Sequence, residues 1–268
     1  MLKDITLGQY FPGDTAAHRL DPRTKILLVL LYIIALFCAR GAAGYGLLAL
    51  TLAVCVRVSR VGIRALVRGL RPVLFIILFT GLLNLFFTPG TRNLVELGPV
   101  HISDAGVRTA IFMVLRIMLL IMGTFLMTYT TSPISLTDGL ERLLNGLKRL
   151  HVPVHELAMM MSIALRFIPT LIGETDKIMS AQKARGADFE SGNLIQKARA
   201  LIPILVPLFI SAFRRADELA TAMECRCYHG GEGRTKLHVL KYEGRDYIAL
   251  AAGAVILAGV IALGRFGI

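Results

Sequence analysis

The chain contains no tryptophan, only four cysteines, and no Gly-x-x-x-x-Gly-Lys-Ser/Thr phosphate loop. Without that loop it lacks the backbone cradle that holds nucleotide phosphates in P-loop proteins, so it is not expected to bind ATP itself. Cys38 and Cys55 lie in apolar runs, and Cys225 and Cys227 lie in a basic region. This distribution excludes an extracellular disulfide framework and fits a reducing compartment. His155-Glu156 begins a zinc-protease pattern, but Met159 stands where the second histidine is required, so that chemistry is excluded too. The first 25 residues hold Asp4, Asp14 and Asp21 and have no basic stretch leading into an apolar core, which predicts no cleavable signal peptide. With tryptophan absent, Tyr32, Tyr45, Tyr129 and Tyr247 are the expected interfacial aromatics.

Acidic residues are also scarce, 18 against 30 Lys and Arg in 268 residues, giving a formal charge of +12. In a soluble protein that balance would suggest nucleic acid. Here 55% of residues are hydrophobic and mean hydropathy is +0.64, so the chain belongs in a bilayer. The basic residues fall between apolar runs, where the positive-inside rule accounts for them without a nucleic-acid partner.

A helix needs about 20 apolar residues to cross. By that measure the clearest spans are Pro72 to Phe87, Val107 to Thr130 and Tyr247 to Leu263, and Ile26 to Val56 reads as two short spans broken after Arg40 by Gly41, Gly44 and Gly46. Lys3, Arg19, Arg23 and Lys25 precede the first span, and Arg57, Arg60, Arg64, Arg68 and Arg71 fill the next connection on that side. The opposite side carries Arg40 and Arg92, with Arg108 at a span edge. This asymmetry predicts a cytoplasmic amino terminus and, after five spans, an external carboxyl terminus. The steps of three and four among the five arginines predict one basic helical face toward headgroups.

The expected class is therefore an all-α integral membrane protein with about five transmembrane helices plus cytoplasmic or interfacial helices. Residues 1–130 form a membrane domain with four spans, 131–246 a cytoplasmic helical domain, and 247–268 the last span. Within the middle domain, Leu157 to Ile172 contains Arg166 and Pro169, and Leu201 to Phe213 contains Pro203 and Pro207. Charge and short length make both poor spans and good interfacial helices. Each leads into a more polar helix ending at an arginine between small residues: Ala184-Arg185-Gly186 and Cys225-Arg226-Cys227.

A weak repeat with an offset of 41 relates the two ends, pairing Asp176 with Asp217, Ala181 with Ala222 and Arg185 with Arg226. One such arginine is explained by helix capping. Two of them, in a chain without catalytic machinery, predict contact points for a partner, since guanidinium pairs bidentately with carboxylate and stays charged. Small flanks would form a narrow collar from which the side chain projects, a shape that cysteine preserves. Arg116, deep in the fourth span, is expected to form an ion pair within the bundle, and Asn84 to hydrogen-bond between helices. Two other readings exist: a metal-responsive protein using Cys225, Cys227, His229 and His238, and an independent carrier centred on Arg116.

Four ordered stretches resemble the transmembrane T component of energy-coupling factor transporters (EcfT, related to CbiQ). They are His18 to Lys25; Thr131-Ser132-Pro133 with Leu140 to Leu144; Ser162 to Thr170 with Glu174, Ala181, Gln182 and Ala184-Arg185-Gly186; and Ala222 to Tyr228 followed by Gly230 to Thr235. The resemblance implies a non-catalytic scaffold in the cell membrane, joining two cytoplasmic ATPase subunits to a membrane S component that captures a vitamin or a metal ion. ATP and magnesium would be bound by the ATPases and no cofactor by this chain. Arg185 and Arg226 would end two crossed coupling helices and dock one ATPase each, with Pro169, Glu174, Arg166 and Arg116 as structural or coupling residues. The Gly230 to Thr235 stretch is more similar to the module shared by several S components than to the form dedicated to cobalt or nickel. Cys-Arg-Cys departs from the family's Ala-Arg-Gly but keeps the arginine and its small flanks.

Overall fold

A computed structural model describes residues 10–89, 93–97, 100–150, 152–189, 193–230 and 239–265. It divides into two compact units, one comprising 8–139 with 240–268 and the other 1–7 with 140–239.

The first unit is a helical membrane bundle. Its helices are α1 (Pro22–Cys38), α2 (Ala42–Ser59), α3 (Ile63–Leu70), α4 (Leu74–Phe87), α5 (Asp104–Thr130) and α9 (Gly244–Arg265). The expected break after Arg40 is present, with α1 and α2 separated at Ala39 to Gly41. Helix α6 (Pro133–Leu144) contains the boundary between the units. A small antiparallel hairpin, β1 (Asn93–Leu97) and β2 (Val100–Ser103), joins α4 to α5 and is the one departure from an all-helical chain among the described residues. Ser103 closes that joint: its hydroxyl donates to Thr88 O at 2.8 Å and accepts from Gly106 N at 2.9 Å, capping α5.

The five arginines from 57 to 71 do not form one helical face. Arg60 adopts a left-handed conformation (φ 54°) that ends α2, Arg64 and Arg68 lie on α3, and Arg71 starts a 3-10 turn. Only the short α3 is amphipathic in the expected sense, burying Leu66 and Leu70 while Arg64 and Arg68 stay exposed.

The His18 to Lys25 stretch forms a structural joint. Asp21 caps α1 by accepting from Arg23 N, and the Arg23 fork clasps both Asp21 carboxylate oxygens at 3.1 and 2.8 Å. Asp21 N donates to the buried Asp246 carboxylate at the start of α9, and Lys25 Nζ donates to Thr130 O at the end of α5. One eight-residue segment thereby ties three helix ends together. Outside the span, the two hydrogen bonds from Arg19 hold the Asp14 carboxyl below the usual carboxylate range.

Packing is densest where α1, α2, α5 and α9 meet, around Ala35, Leu36, Tyr45, Leu48, Leu119 and Val260. Gly253 lets α9 approach Leu28, and Gly44 lies beside Ala39 and Val260, so these glycines serve contacts inside the chain. At Gly123 a Cβ would lie 2.7 Å from the Tyr32 ring. Gly123→Ala should therefore destabilise the bundle by about 1 to 3 kcal/mol, read as a lower melting temperature in detergent. Gly46→Ala, where a Cβ meets nothing within 4 Å, should not.

Two expectations inside the bundle need correction. Arg116 Nε donates to the Tyr45 hydroxyl at 2.8 Å, and its guanidinium lies 5.6 Å from the Phe37 ring centre; its partners among the described residues are a phenol and aromatic faces, not a carboxylate. An acid is missing because α1 and α2 contain none and α5 has only Asp104, one residue past its cap. Asn84 bonds within its own helix, to Thr80 O, because that carbonyl lies one turn back.

Candidate functional site

The second unit is built on two helices of 31 residues each, α7 (Val154–Ala184) and α8 (Leu194–Glu224). The apolar segments expected to be short interfacial helices lie within these unbroken helices, near the start of α7 and in the middle of α8. Prolines 169, 203 and 207 are all accommodated within them. At 1.5 Å per residue each helix is about 46 Å long. Among the described residues six helical stretches are, by length and composition, able to cross a membrane: α2, the continuous Ile63–Phe87, α5, α7, most of α8, and α9. Short length therefore does not bar α7 and α8 from crossing, while α1, at 17 residues, meets only the lower limit for a span.

The helices are locked to each other by polar contacts. Glu174 on α7 accepts from the Ser211 hydroxyl at 2.6 Å through one oxygen, and from Arg215 Nε and Nη2 at 3.2 and 2.9 Å through the other. Further along α7, Gln182 Nε2 donates to Pro203 O at 3.3 Å. That carbonyl is the one left without its helical partner by Pro207, which has no N–H four residues on. The glutamine thus repairs a defect that proline creates in the neighbouring helix. Going from 174 to 182 on α7 corresponds to going from 215 back to 203 on α8, so the helices cross in opposite directions. The Tyr228 hydroxyl, bonded to Met159 Sδ at 3.1 Å, extends the same pattern. His155, paired with Glu141 at 3.1 Å, anchors the start of α7.

Arg185 and Arg226 end these helices in the same backbone hydrogen-bond pattern. At the first end, Gly186 N bonds Lys183 O and Ala187 N bonds Gln182 O, with Gly186 at φ 86°. At the second, Cys227 N bonds Glu224 O and Tyr228 N bonds Met223 O, with Cys227 at φ 56°. Both are Schellman motifs with arginine at the cap and the next residue left-handed. The repeat with offset 41 is a repeat of this motif, and Glu174 and Arg215, the two halves of the ion pair, are related by the same offset. Each arginine lies eleven residues beyond its half of the pair, about 16 Å along its helix. Because the helices run oppositely, the two lie toward opposite ends of the crossing. Both arginines are exposed, as are Ala184, Gly186, Cys225 and Cys227.

The small residue after each arginine has a backbone reason that the collar argument missed. A left-handed residue suits glycine, and cysteine there costs about 1 kcal/mol. Cys227→Gly is expected to strengthen the end of α8, slowing amide exchange over 221–229 severalfold. Faster exchange would mean that the cysteine makes a compensating contact.

Other expected site residues lie along these helices. Arg166 and Pro169 are exposed on α7, and Glu174 is the centre of the crossing. Arg116 belongs to the other unit. Ser211 and Arg215 were missed by sequence reasoning, although the 41-residue offset paired position 215 with 174. Among the described residues no three His, Cys, Asp or Glu side chains gather as a metal site, and Cys225 and Cys227 are free thiols. His238 and most of Gly230 to Thr235 lie outside the described residues.

Long apolar helices with an acid-poor bundle and a polar-locked helix pair define a multi-pass membrane protein. The family model described as "Cobalt transport protein" (CbiQ) matches residues 13–237. Relatives named "Energy-coupling factor transporter transmembrane protein EcfT" match at full length. The protein from Clostridium kluyveri is 54% identical over 96% of each chain, that from Thermosediminibacter oceani 52% over 99% of each, and that from Bacillus subtilis 47% over 97% of this chain and 98% of its own. The chain belongs to this CbiQ/EcfT family and is a transmembrane component of an energy-coupling factor transporter.

Proposed function

We propose that α7 and α8 carry ATP-driven motion from two cytoplasmic ATPase subunits, one docked on Arg185 and one on Arg226, to a membrane S component that holds a vitamin or metal ion. ATP and magnesium are handled by those ATPases, and this chain binds no cofactor. The observation that carries this reading is the pair of matched Schellman ends, each with an exposed arginine, at equal distance from a polar-locked crossing. Two equivalent handles suit two equivalent partners. Closure of the ATPases would draw the handles together and shear the crossing. The middle of α8 would pass that displacement on, since it exposes Leu201, Ile202, Leu205, Phe209 and Phe213. The amino terminus lies in the cytoplasm and the carboxyl terminus outside, and the module is of the shared kind.

Copurification of the tagged chain from its native membrane tests the assignment. Two ATPase chains and at least one small membrane protein are expected per copy. A chain that purifies alone and transports substrate in liposomes would establish an independent carrier instead. Bound zinc after chelator-free purification, lost on Cys225→Ser, would establish the metal-responsive reading.

A further inference from the structure

The bundle contains a second cationic feature, far in sequence from the arginine-tipped helices. A cavity of about 350 Å³ is lined by Phe37, Arg40, Tyr45, Thr109, Phe112 and Arg116, among others. Arg40 sits in the turn between α1 and α2, is exposed, and has no hydrogen-bond partner among the described residues. Arg116 spends its Nε–H on the Tyr45 hydroxyl, leaving both terminal nitrogens without an acceptor among those residues. A third guanidinium, that of Arg108, lies 5.6 Å from the centre of the Phe112 ring in the cavity wall.

Among the described residues no carboxylate pairs with Arg40 or Arg116, while Arg108 stands one helical turn from Asp104 on α5. Helices α1 and α2 have no acid, and Asp104 lies twelve residues from Arg116, about 18 Å along α5. An uncompensated guanidinium inside an apolar bundle is costly, and such groups pair with an anion or face a polar path. Aromatic faces supply part of that compensation, at Phe37 and Tyr45. They do not supply the planar pair of acceptors that a guanidinium fork matches best, which phosphate oxygens do.

We infer that this cavity binds a phosphate group, and that its source is the headgroup of an anionic membrane lipid. Arg40 and Arg116 provide N–H donors from two sides, and the Thr109 hydroxyl adds a neutral donor at the wall. The lipid source is favoured by the immediate surroundings, because Phe37 and Ile111 beside the cavity are 62% and 60% exposed. Those apolar surfaces suit acyl chains continuing from a bound headgroup. An aqueous phosphate ion would gain the same hydrogen bonds and nothing from the exposed apolar rim.

The test is native mass spectrometry on the full chain purified with its partners, titrated in parallel with phosphatidylglycerol and phosphatidylcholine. The wild type should retain phosphatidylglycerol about tenfold better, and Arg40→Gln/Arg116→Gln should bring the ratio close to one. Arg40→Gln alone guards against misfolding, since that side chain makes no bond in the bundle, and should lower the ratio severalfold. Arg19→Gln, on an exposed arginine already paired with Asp14 and outside the cavity lining, should leave it unchanged. In a separate arm, inorganic phosphate is added without lipid. A melting shift with phosphate that vanishes in the double variant, without lipid discrimination, would overturn the lipid source. Equal retention of the two lipids by the wild type, together with no phosphate effect, would overturn the site itself.

Discussion

Alanine at both Arg185 and Arg226 is expected to abolish ATP-driven uptake while leaving the chain folded and inserted. Neither side chain contributes to the structural contacts described here, because both are exposed and the caps that stop their helices use backbone groups alone. Under the proposed docking role, their loss therefore falls on the partner. Removing one member of a buried, hydrogen-bonded charge pair costs about 2 to 5 kcal/mol, and the double variant incurs that cost at both attachments. Single variants should behave differently, because the remaining handle keeps the other ATPase at high effective concentration. Each single variant should retain measurable association and lose most coupling. Lysine at either position keeps the charge but not the planar fork, and should recover only part of the activity. Uptake in vesicles and the ATPase content of the purified complex report coupling and association separately. Normal uptake by the double alanine variant would rule out the docking role.

The helical class and the Arg40 break were legible in the sequence because they follow from apolar length and glycine placement, which act locally. The two arginines were legible for a similar reason, as a small-Arg-small pattern marks a helix end wherever it folds. The physical ground of that pattern was not legible. A collar of small side chains and a left-handed backbone demand similar residues, and only φ at Gly186 and Cys227 separates them. Length was misjudged at α7 and α8 because only the apolar stretch was counted, whereas each helix runs on unbroken through its more polar part. Gln182 on one helix meeting the carbonyl freed by Pro207 on the other is a long-range repair that no local pattern reveals. Arg116 failed for the opposite reason. The expectation of an ion pair presumed a nearby acid, and tertiary packing supplied Tyr45 and Phe37 instead.

The second large effect concerns the crossing itself. Glu174→Arg should uncouple the transporter without releasing the ATPases, because it acts about 16 Å from either handle and leaves both intact. The substitution removes the acceptor of the Ser211 and Arg215 hydrogen bonds and sets two guanidinium groups against each other. Glu174 is 23% and Arg215 38% exposed in their side chains, so solvent weakens the pair and its worth stays below that of a buried one. Three charge-assisted hydrogen bonds are nevertheless lost together, which shifts the balance toward a loosened crossing. A helix pair that slips at its centre transmits less displacement from the ATPase side, so uptake should drop by an order of magnitude while ATP hydrolysis continues. The reciprocal variant Glu174→Arg/Arg215→Glu restores opposite charges across the crossing and should recover a substantial part of the uptake. Recovery in the exchanged pair would separate an electrostatic lock from a requirement for glutamate at 174 in contact with another subunit. Failure of the exchange, with ATPase content unchanged, would move the role of Glu174 from the crossing to such a contact.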